Sequence, residues 1–441
     1  MMNDYMHKVF YITGQRFFCF RSTFRSLVAG AGTDGGLPYL AEQLNQSKSE
    51  TLYLDFSFSS MKIAQFKTKI RGLLNIIWLT DWIEGIPRLG LGQFDFISCT
   101  GVLHHLKNPQ RGLKILSELE GAINLMVYGR YGRTGVYHIQ KVLRSIIRED
   151  GGIIKEIKYA KSVIDILPGS HWFNHFQFQM DKMMGDVGIY DLLLHKRDIS
   201  FTVHGLHRWL QQGGYNFVDY ARPGISVSLS MNIRIPDKSL YKNLIQKNIY
   251  AQHGVCDLVS GHTLLFWLYG SKKIDSKASL RQNENVIYAH GSPIGFHRLI
   301  GDINNYQQHR NKTFVVAKLA TTQIDETSID YRSYAPSKPI VLAEVKWPST
   351  EFNNFVIKTL TKKPITPQTI RSLVLGYNSD FESKLSLDEA TDMLTDLFSY
   401  IKGFGIFYLR HKSIKPFNLT CCMNQFSVFG HDVGKYISYI T

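Results

Sequence analysis

The order of short apolar runs in the first 130 residues limits the fold of this chain more than any other feature. Five runs of strand length alternate there with stretches of helical pattern. They cover Ser26–Ala29, Thr51–Asp55, Asn75–Leu79, Phe94–Cys99 and Ile123–Tyr128. Apolar strands that alternate with helices form parallel sheets whose two faces are both covered. We therefore predict an α/β fold built on a parallel sheet.

The remaining elements of this first region complete the predicted sheet. Helices are expected at Leu37–Gln46, Ser59–Arg71, Pro109–Leu119, Val136–Ile147, Gln177–Leu194 and Val203–Gln212. Two further strands are expected at Tyr215–Tyr220 and His262–Tyr269, and Asn108 is expected to cap the helix that begins at Pro109. The sequence thus predicts a seven-stranded sheet with a helical insertion, about 129–200, after strand five.

The polar stretch 270–285 divides the chain into two predicted domains. Its sequence, GSKKIDSKASLRQNEN, has the composition of a linker. The first domain spans 1–273 and the second 274–441. In the second, helices expected at Phe352–Thr361 and Leu387–Ile401 lead into a strand at Gly405–Leu409. This order predicts a smaller α+β accessory domain and is typical of a winged-helix module.

Charge and cysteine content narrow the classes of partner and compartment. The formal charge is +15, but the basic residues are scattered among acids. A generic basic surface is therefore favoured over a dedicated nucleic-acid face, which stays open as the alternative. The five cysteines include no C-x-x-C pair, which predicts a reducing compartment and no zinc site. We expect a cytoplasmic protein without a membrane span. The first 25 residues contain four basic residues and one acid, so a mitochondrial presequence stays open as the alternative.

The stretch LVAGAGTDGG, residues 27–36, joins strand one to the first helix by a glycine-rich turn. Such a turn lets a ligand approach the backbone and the N-terminus of the helix. Gly30, Gly32 and Gly35 have the G-x-G-x-x-G spacing of a dinucleotide site, and a similar turn occurs in S-adenosylmethionine (SAM) sites. Asp55, at the end of strand two, suits ribose hydroxyls in either cofactor. These residues alone do not choose between NAD and SAM.

Polar and aromatic residues follow the next three strands. Strand three ends in TDWIE, which places Asp81 and Trp82 at the carboxyl edge of the sheet. There an acid can accept a hydrogen bond from an adenine amine, and an indole can pack on a purine. Strand four ends in FDFISCTGVLHHL and strand five in LMVYGRYGRTGVY. Because ligands bind outside this edge in open α/β sheets, we expect these strand ends to share one site.

The chain resembles the class I SAM-dependent methyltransferases in five segments that occur in the family's order and spacing. The segments are LVAGAGTDGG, YLDFSFSSMKIA, NIIWLTDWIE, FDFISCTGVLHHLKNP and LMVYGRYGRTGVY. The likeness covers about residues 26–273 and implies a Rossmann-like sheet with SAM as the cofactor. It implies cofactor contacts by Gly30, Ala31, Gly32 and Asp34 at the methionine end, Asp55 and Phe56 at the ribose, Asp81 and Trp82 at the adenine, and Thr100 and Gly101 at the sulfonium.

Asp34 departs from the family pattern, since a glycine is usual at its position. Its carboxylate either meets the ammonium group of the cofactor or lowers the cofactor's affinity.

Candidate catalytic residues follow strands four and five. His104 and His105 are candidates for a general base, which is needed where the acceptor must lose a proton; the alternative for either is a capping or packing role. Tyr131 and Arg133 lie over the expected substrate mouth together with Arg130. Two arginines there can clamp a carboxylate or phosphate, and the alternative is that they pair with acids of the insertion.

Two further groups of polar residues lie in or near the insertion. Asp191, His195 and Asp198 are spaced to share one face of a helix. His171 and His175 lack neighbouring cysteines or acids, so no metal site is expected there.

These patterns predict SAM-dependent methyl transfer to a small molecule or a protein side chain, and the paired arginines favour an anionic acceptor. One alternative is a catalytically inactive methyltransferase fold that serves as a binding or scaffold protein, for which Asp34 is the direct support. Another is an NAD-dependent oxidoreductase, favoured by the glycine spacing. Methylation of a flipped nucleic-acid base is not favoured, because CTGV follows strand four where Asn-Pro-Pro-Tyr would be expected.

Overall fold

The computed structural model describes the part of the chain that carries the predicted sheet and several segments after it. The described residues are 24–33, 36–44, 49–147, 152–174, 185–221, 229, 231–235, 237–261, 263–272, 280–282, 285–289, 314–315, 344–345, 350–361, 368–401 and 407–411.

A seven-stranded sheet forms the centre of the molecule, as the sequence predicts. Its strands are β1 Arg25–Ala29, β2 Glu50–Asp55, β3 Ile76–Thr80, β4 Phe96–Thr100, β5 Ala122–Tyr128, β6 Asn216–Tyr220 and β7 Leu265–Ser271. Their spatial order is β3-β2-β1-β4-β5-β7-β6. Strands β1 to β5 are parallel, whereas β7 runs antiparallel to both β5 and β6. The carboxyl ends of the five parallel strands therefore meet at one edge.

Helices cover both faces of this sheet. They are α1 Gly36–Leu44, α2 Phe58–Ile70, α3 Pro109–Glu118, α4 Thr134–Ile146, α5 Gly152–Asp165, α6 Gly185–Ile189, α7 Val203–Gln212, α8 Met231–Arg234, α9 Lys238–Ile245 and α10 Ile249–Ser260. Within β1, Leu27 belongs to the apolar core on one face of the sheet and Val28 to the core on the other. The side chain of Asn108 accepts a hydrogen bond from Arg111 N at 3.0 Å, which confirms the predicted cap of α3.

The helical insertion after strand five is confirmed and has an apolar core of its own. The predicted helix Val136–Ile147 is α4. The sequence analysis missed α5, whose apolar residues Ile153 and Ile154 are largely exposed and blur its periodicity. Of the predicted helix Gln177–Leu194, residues 177–184 lie outside the described residues, and the rest is α6 followed by a π-helical turn, Tyr190–Leu194.

A separate group of elements follows β7. Its members are β8 Asn285–Ala289, β9 Phe314–Val315, β10 Glu344–Val345, α11 Glu351–Thr361, α12 Ile370–Asp380, α13 Leu387–Ile401 and β11 Phe407–His411. The three helices pack around one apolar core, and β8 pairs with β11 in antiparallel fashion. The α+β character is as predicted; α12 was missed, and the domain boundary at 273 stays a prediction. Among the described residues, no helix is long and apolar enough to cross a membrane.

Candidate functional site

The glycine turn after β1 adopts a backbone conformation that its sequence requires. Gly30 and Gly32 have φ angles of +69° and +53°, a region that disfavours side chains. The backbone N–H groups of Gly30 and Ala31 both donate to Leu54 O, at 2.7 and 3.1 Å. A Cβ atom on Gly30 would stand 2.4 Å from a methyl group of Val102, whereas one on Gly32 would meet no atom of the described residues within 4 Å. The turn is therefore pressed against the segment after β4 at Gly30 and open at Gly32.

Asp34, the departure from the family pattern, lies outside the described residues together with Gly35.

Asp55 holds the glycine turn from the end of β2. Its two carboxylate oxygens accept hydrogen bonds from Gly32 N and Ser57 N, each at 2.8 Å. The hydroxyl of Tyr53 donates to Gly32 O at 3.1 Å. Each carboxylate oxygen has a second lone pair, so Asp55 retains acceptor capacity although the residue is buried.

Two exposed aromatic side chains stand beside this carboxylate. Phe56 follows Asp55, and Trp82 follows β3; their rings stack with centroids 4.3 Å apart and planes 7° apart. Phe56 is 58% exposed and Trp82 56%. Large apolar rings left this open next to a polar turn form a flat surface on which another planar group can pack.

Asp81, predicted to border an adenine, has its carboxylate engaged within the protein. Arg88 donates to both carboxylate oxygens, at 2.8 and 3.0 Å, and Trp82 N donates to one of them at 2.7 Å. These hydrogen bonds lower the pKa of Asp81, with that of Arg88 contributing most. Asp81 therefore stays ionised and fixes the backbone of Trp82.

The end of β4 adds a second left-handed glycine to this edge. Gly101 has a φ angle of +77°, and its N–H donates to Met126 O at 3.1 Å. Thr100 is the last residue of β4 and is half-buried. The predicted pair Thr100 and Gly101 thus lies between the glycine turn and the end of β5.

The two histidines after β4 occupy very different environments. His104 has no exposed surface, and neither ring nitrogen has a hydrogen-bond partner among the described residues. Burial, together with the charges of His105, Arg133 and His195, lowers its pKa to about 2. His105 is only partly buried, and its Nδ1 lies 2.7 Å from Arg197 O. Because a carbonyl only accepts, the proton of neutral His105 lies on Nδ1 and Nε2 keeps its lone pair.

Burial also lowers the pKa of His105, so this neutral form is favoured.

Arg133 pairs with an acid, which was the alternative to a substrate clamp. Its guanidinium lies 3.3 Å from the carboxylate of Asp198, and the side chains are 7% and 0% exposed. The amide of Gln140 donates to the same carboxylate oxygen at 2.9 Å, and the guanidinium stacks 3.7 Å above the ring of Tyr128. Arg130, in contrast, is exposed, and Tyr131 is half-buried.

The expectation that Asp191, His195 and Asp198 share one helical face is wrong. The helical segment ends at Leu194, and His195 already has an extended ψ of 125°. Asp198 therefore turns back toward Arg133. Arg88, Lys107 and Arg197 also line this edge of the sheet and were not predicted from the sequence. Single charges in the segments IPRLG, KNP and HKRD indicate only a solvated surface, so no pattern pointed to them.

No group of histidine, cysteine or acidic side chains in the described residues has the arrangement of a metal site. His175, which was not expected to bind a metal, lies outside the described residues.

Comparison with known proteins bears on the N-terminal region first. Residues 27–119 match the family model of a methyltransferase domain. A relative described as an uncharacterized protein, syc1184_c of Synechococcus sp., is 28% identical over 204 residues. That match covers 45% of this chain and 48% of the relative, so the chain spans about half the length of this curated relative.

Two solved structures share the overall fold. PKMT2 from Rickettsia typhi in complex with AdoHcy superposes with a TM-score of 0.57 at 14% identity, over 91% of this chain and 74% of that one. A second structure of PKMT2 from Rickettsia typhi gives 0.55 at 15% identity, over 88% and 71%. The strand order and these neighbours agree on the fold: the seven-stranded sheet is that of a Rossmann-like methyltransferase fold, and residues 27–119 within it match the model of a methyltransferase domain.

Proposed function

We propose that this protein is a SAM-dependent methyltransferase that acts on a small molecule or a protein side chain. The observation that carries the proposal is the convergence of the left-handed glycine turn, the Asp55 carboxylate and the Phe56–Trp82 surface at one edge of the sheet. The backbone at Gly32 fits a ligand that approaches closely, since a Cβ there would meet no atom within 4 Å in the part of the chain that the structure describes.

Each part of SAM has a proposed partner in this arrangement. Gly30, Ala31 and Gly32 would hold the methionine end of the cofactor. Asp55 would accept from the ribose hydroxyls through the lone pairs that Gly32 N and Ser57 N leave free. Phe56 and Trp82 would pack on the adenine, with Asp81 beside them, and Thr100 and Gly101 would border the sulfonium. SAM supplies an electrophilic methyl group when it is bound.

The chain's own contribution to methyl transfer is mainly positioning. Holding two reactants in the correct orientation supplies much of the rate enhancement in such displacements. Where the acceptor must lose a proton, we assign the general base to His105, because its Nε2 lone pair is available at neutral pH and the ring is only partly buried. His104 has no exposed surface and is assigned to packing against Tyr128. Tyr131 stays a candidate at the acceptor mouth.

Transfer of labelled methyl groups from SAM into a cell extract, read by mass spectrometry, tests this function. Asp55→Ala should abolish SAM binding and product together. Asp95→Ala is the matched control, because its carboxylate accepts one backbone N–H, from Arg25, at the opposite end of the sheet. SAM binding without any product in the wild type would support a scaffold, and product in Asp55→Ala would contradict the proposed site.

A further inference from the structure

A segment without helix lies at the carboxyl edge of the sheet, beside the ends of β4 and β5. We call residues 195–201 the strap. Its backbone is bonded to the segment after β4 and to the end of β5: Ile199 N donates to His104 O at 3.1 Å, and Phe201 N donates to Tyr128 O at 2.9 Å. Arg130 N in turn donates to Phe201 O at 2.8 Å. The strap is therefore a fixed wall of the acceptor side and forms the C-terminal end of the insertion.

The buried ion pair described above anchors the strap at its centre. Asp198 lies in the strap, and its carboxylate receives hydrogen bonds from Arg133 and from Gln140, both outside it. These two hydrogen bonds to a carboxylate without exposed surface restrict the backbone of Asp198. The preceding residue, Arg197, is thereby held with its carbonyl oxygen on His105 and its side chain at the protein surface.

The strap and the segments after β3 and β4 border an open cleft of about 370 Å³. The volume lies within the range of small-molecule sites, roughly 300 to 1,000 Å³. Its lining includes Trp82, the exposed ring assigned to the cofactor, and His105, the proposed base. The cleft therefore borders both the cofactor surface and the candidate catalytic residue.

The charged groups of this cleft are mostly cationic. Arg88, Lys107 and Arg197 line it, against one acid, Glu84. Arg88 is committed to Asp81. Within the part of the chain that the structure describes, neither Lys107 nor Arg197 forms an ion pair. Cationic side chains that meet at a concave site without acidic partners are the groups that bind carboxylates and phosphates.

We propose that Lys107 and Arg197 form a subsite for the anionic group of a small-molecule acceptor, a carboxylate or a phosphate, and that Asp198 is a positioning residue which fixes Arg197 through its pair with Arg133. This proposal rests on the proposed methyltransferase function, because the bound molecule is an acceptor only if the protein transfers a methyl group to it. It assigns anion binding to residues other than Arg133, whose charge Asp198 already balances.

Equilibrium dialysis of the full chain with radiolabelled inorganic phosphate and, in a second arm, labelled succinate tests the subsite. The variant is Lys107→Ala/Arg197→Ala. The control is Arg111→Ala/Lys114→Ala, which removes the same two charges from exposed positions of α3 outside the cleft. S-adenosylhomocysteine (SAH) binding by each protein is measured in parallel, because it reports the cofactor site and the fold independently of the anion.

We expect the wild type to bind one anion per chain saturably in at least one arm, and the arm that saturates identifies phosphate or carboxylate. The cleft variant should bind at least ten-fold more weakly, while the control variant stays within two-fold of the wild type and both retain SAH. Absence of saturable binding in both arms, or equal loss in both variants, overturns the subsite. If the wild type does not bind SAH at all, the proposed function is overturned instead.

The positioning role of Asp198 has its own readout. Asp198→Glu keeps the charge and should retain most of the anion affinity. Asp198→Asn, measured at a temperature at which circular dichroism shows it folded, should weaken anion binding with little change in SAH affinity. If both variants bind phosphate or succinate as the wild type does, Asp198 does not position Arg197.

Discussion

Asp198→Asn should destabilise the folded chain far more than the same substitution in an exposed ion pair. The Asp198 side chain has no exposed surface, and that of Arg133 is 7% exposed, so neither charge is screened by water. Asparagine keeps an oxygen that can accept from Gln140 but leaves the guanidinium buried without a counter-charge. Removing one partner of a buried ion pair costs about 3–5 kcal/mol. We expect a loss of this size in the free energy of unfolding.

Urea denaturation followed by circular dichroism measures this loss, and the chain supplies a matched control. Lys161 and Asp186 form an ion pair in the same helical region, with their nitrogen and oxygen 2.5 Å apart and side chains 49% and 59% exposed. Asp186→Asn should therefore cost only about 0–1 kcal/mol. The two variants should differ by at least about 2 kcal/mol, the gap between these ranges.

Equal losses below about 1 kcal/mol in both variants would refute the reasoning, because Arg133 would then not depend on Asp198 for its charge balance. A double variant, Arg133→Met/Asp198→Leu, covers the case in which Asp198→Asn does not fold. It removes both charges together and should be more stable than Asp198→Asn alone.

Three further predictions address other parts of the fold. Trp82→Ala should weaken SAH binding about ten-fold in a calorimetric titration, since stacking contributes on the order of 1 kcal/mol beyond the lost contact area; Trp172→Ala, which removes an equally exposed indole, should leave the affinity unchanged. Gly30→Ala should cost more stability in urea than Gly72→Ala: both have positive φ, but the new methyl group meets Val102 at Gly30 and no described residue at Gly72. Burial lowers the pKa of His207 to about 3, so between pH 6.5 and 3 the unfolded chain binds a proton that the folded chain does not. Stability should fall as pH drops through this window, and His207→Phe should make the slope between pH 6 and 4 shallower by about 1.4 kcal/mol per pH unit.

The sheet could be predicted from sequence because its strands alternate between two cores. Leu27 and Val28 are adjacent apolar residues that pack on opposite faces, and this is the signature of a strand covered on both sides. The same holds for caps that depend on local spacing, such as Asn108. No local sequence pattern indicates that β7 is antiparallel, because the direction of pairing is set by the connection and not by the strand itself.

The chemistry of the site depended on contacts that the sequence separates widely. Arg133 and Asp198 lie 65 positions apart, and only the fold brings the two charges together. The helical spacing of Asp191 and Asp198 predicted a shared face, but a π-helical turn ends the helix at Leu194. His104 and His105 are neighbours in sequence and equivalent as candidates. Burial and the hydrogen bond of His105 to Arg197 O distinguish them, and both arise from the packed edge of the sheet.

Calorimetric titration of the full chain with SAH and, separately, with NAD tests the central claim most directly. The glycine turn fits both cofactors by spacing, whereas the fold and the exposed Phe56–Trp82 surface favour SAM and its product. We predict one SAH bound per chain, loss of that binding in Asp55→Ala, and no saturable binding of NAD. Saturable binding of NAD by a chain that gives no heat with SAH would contradict the account.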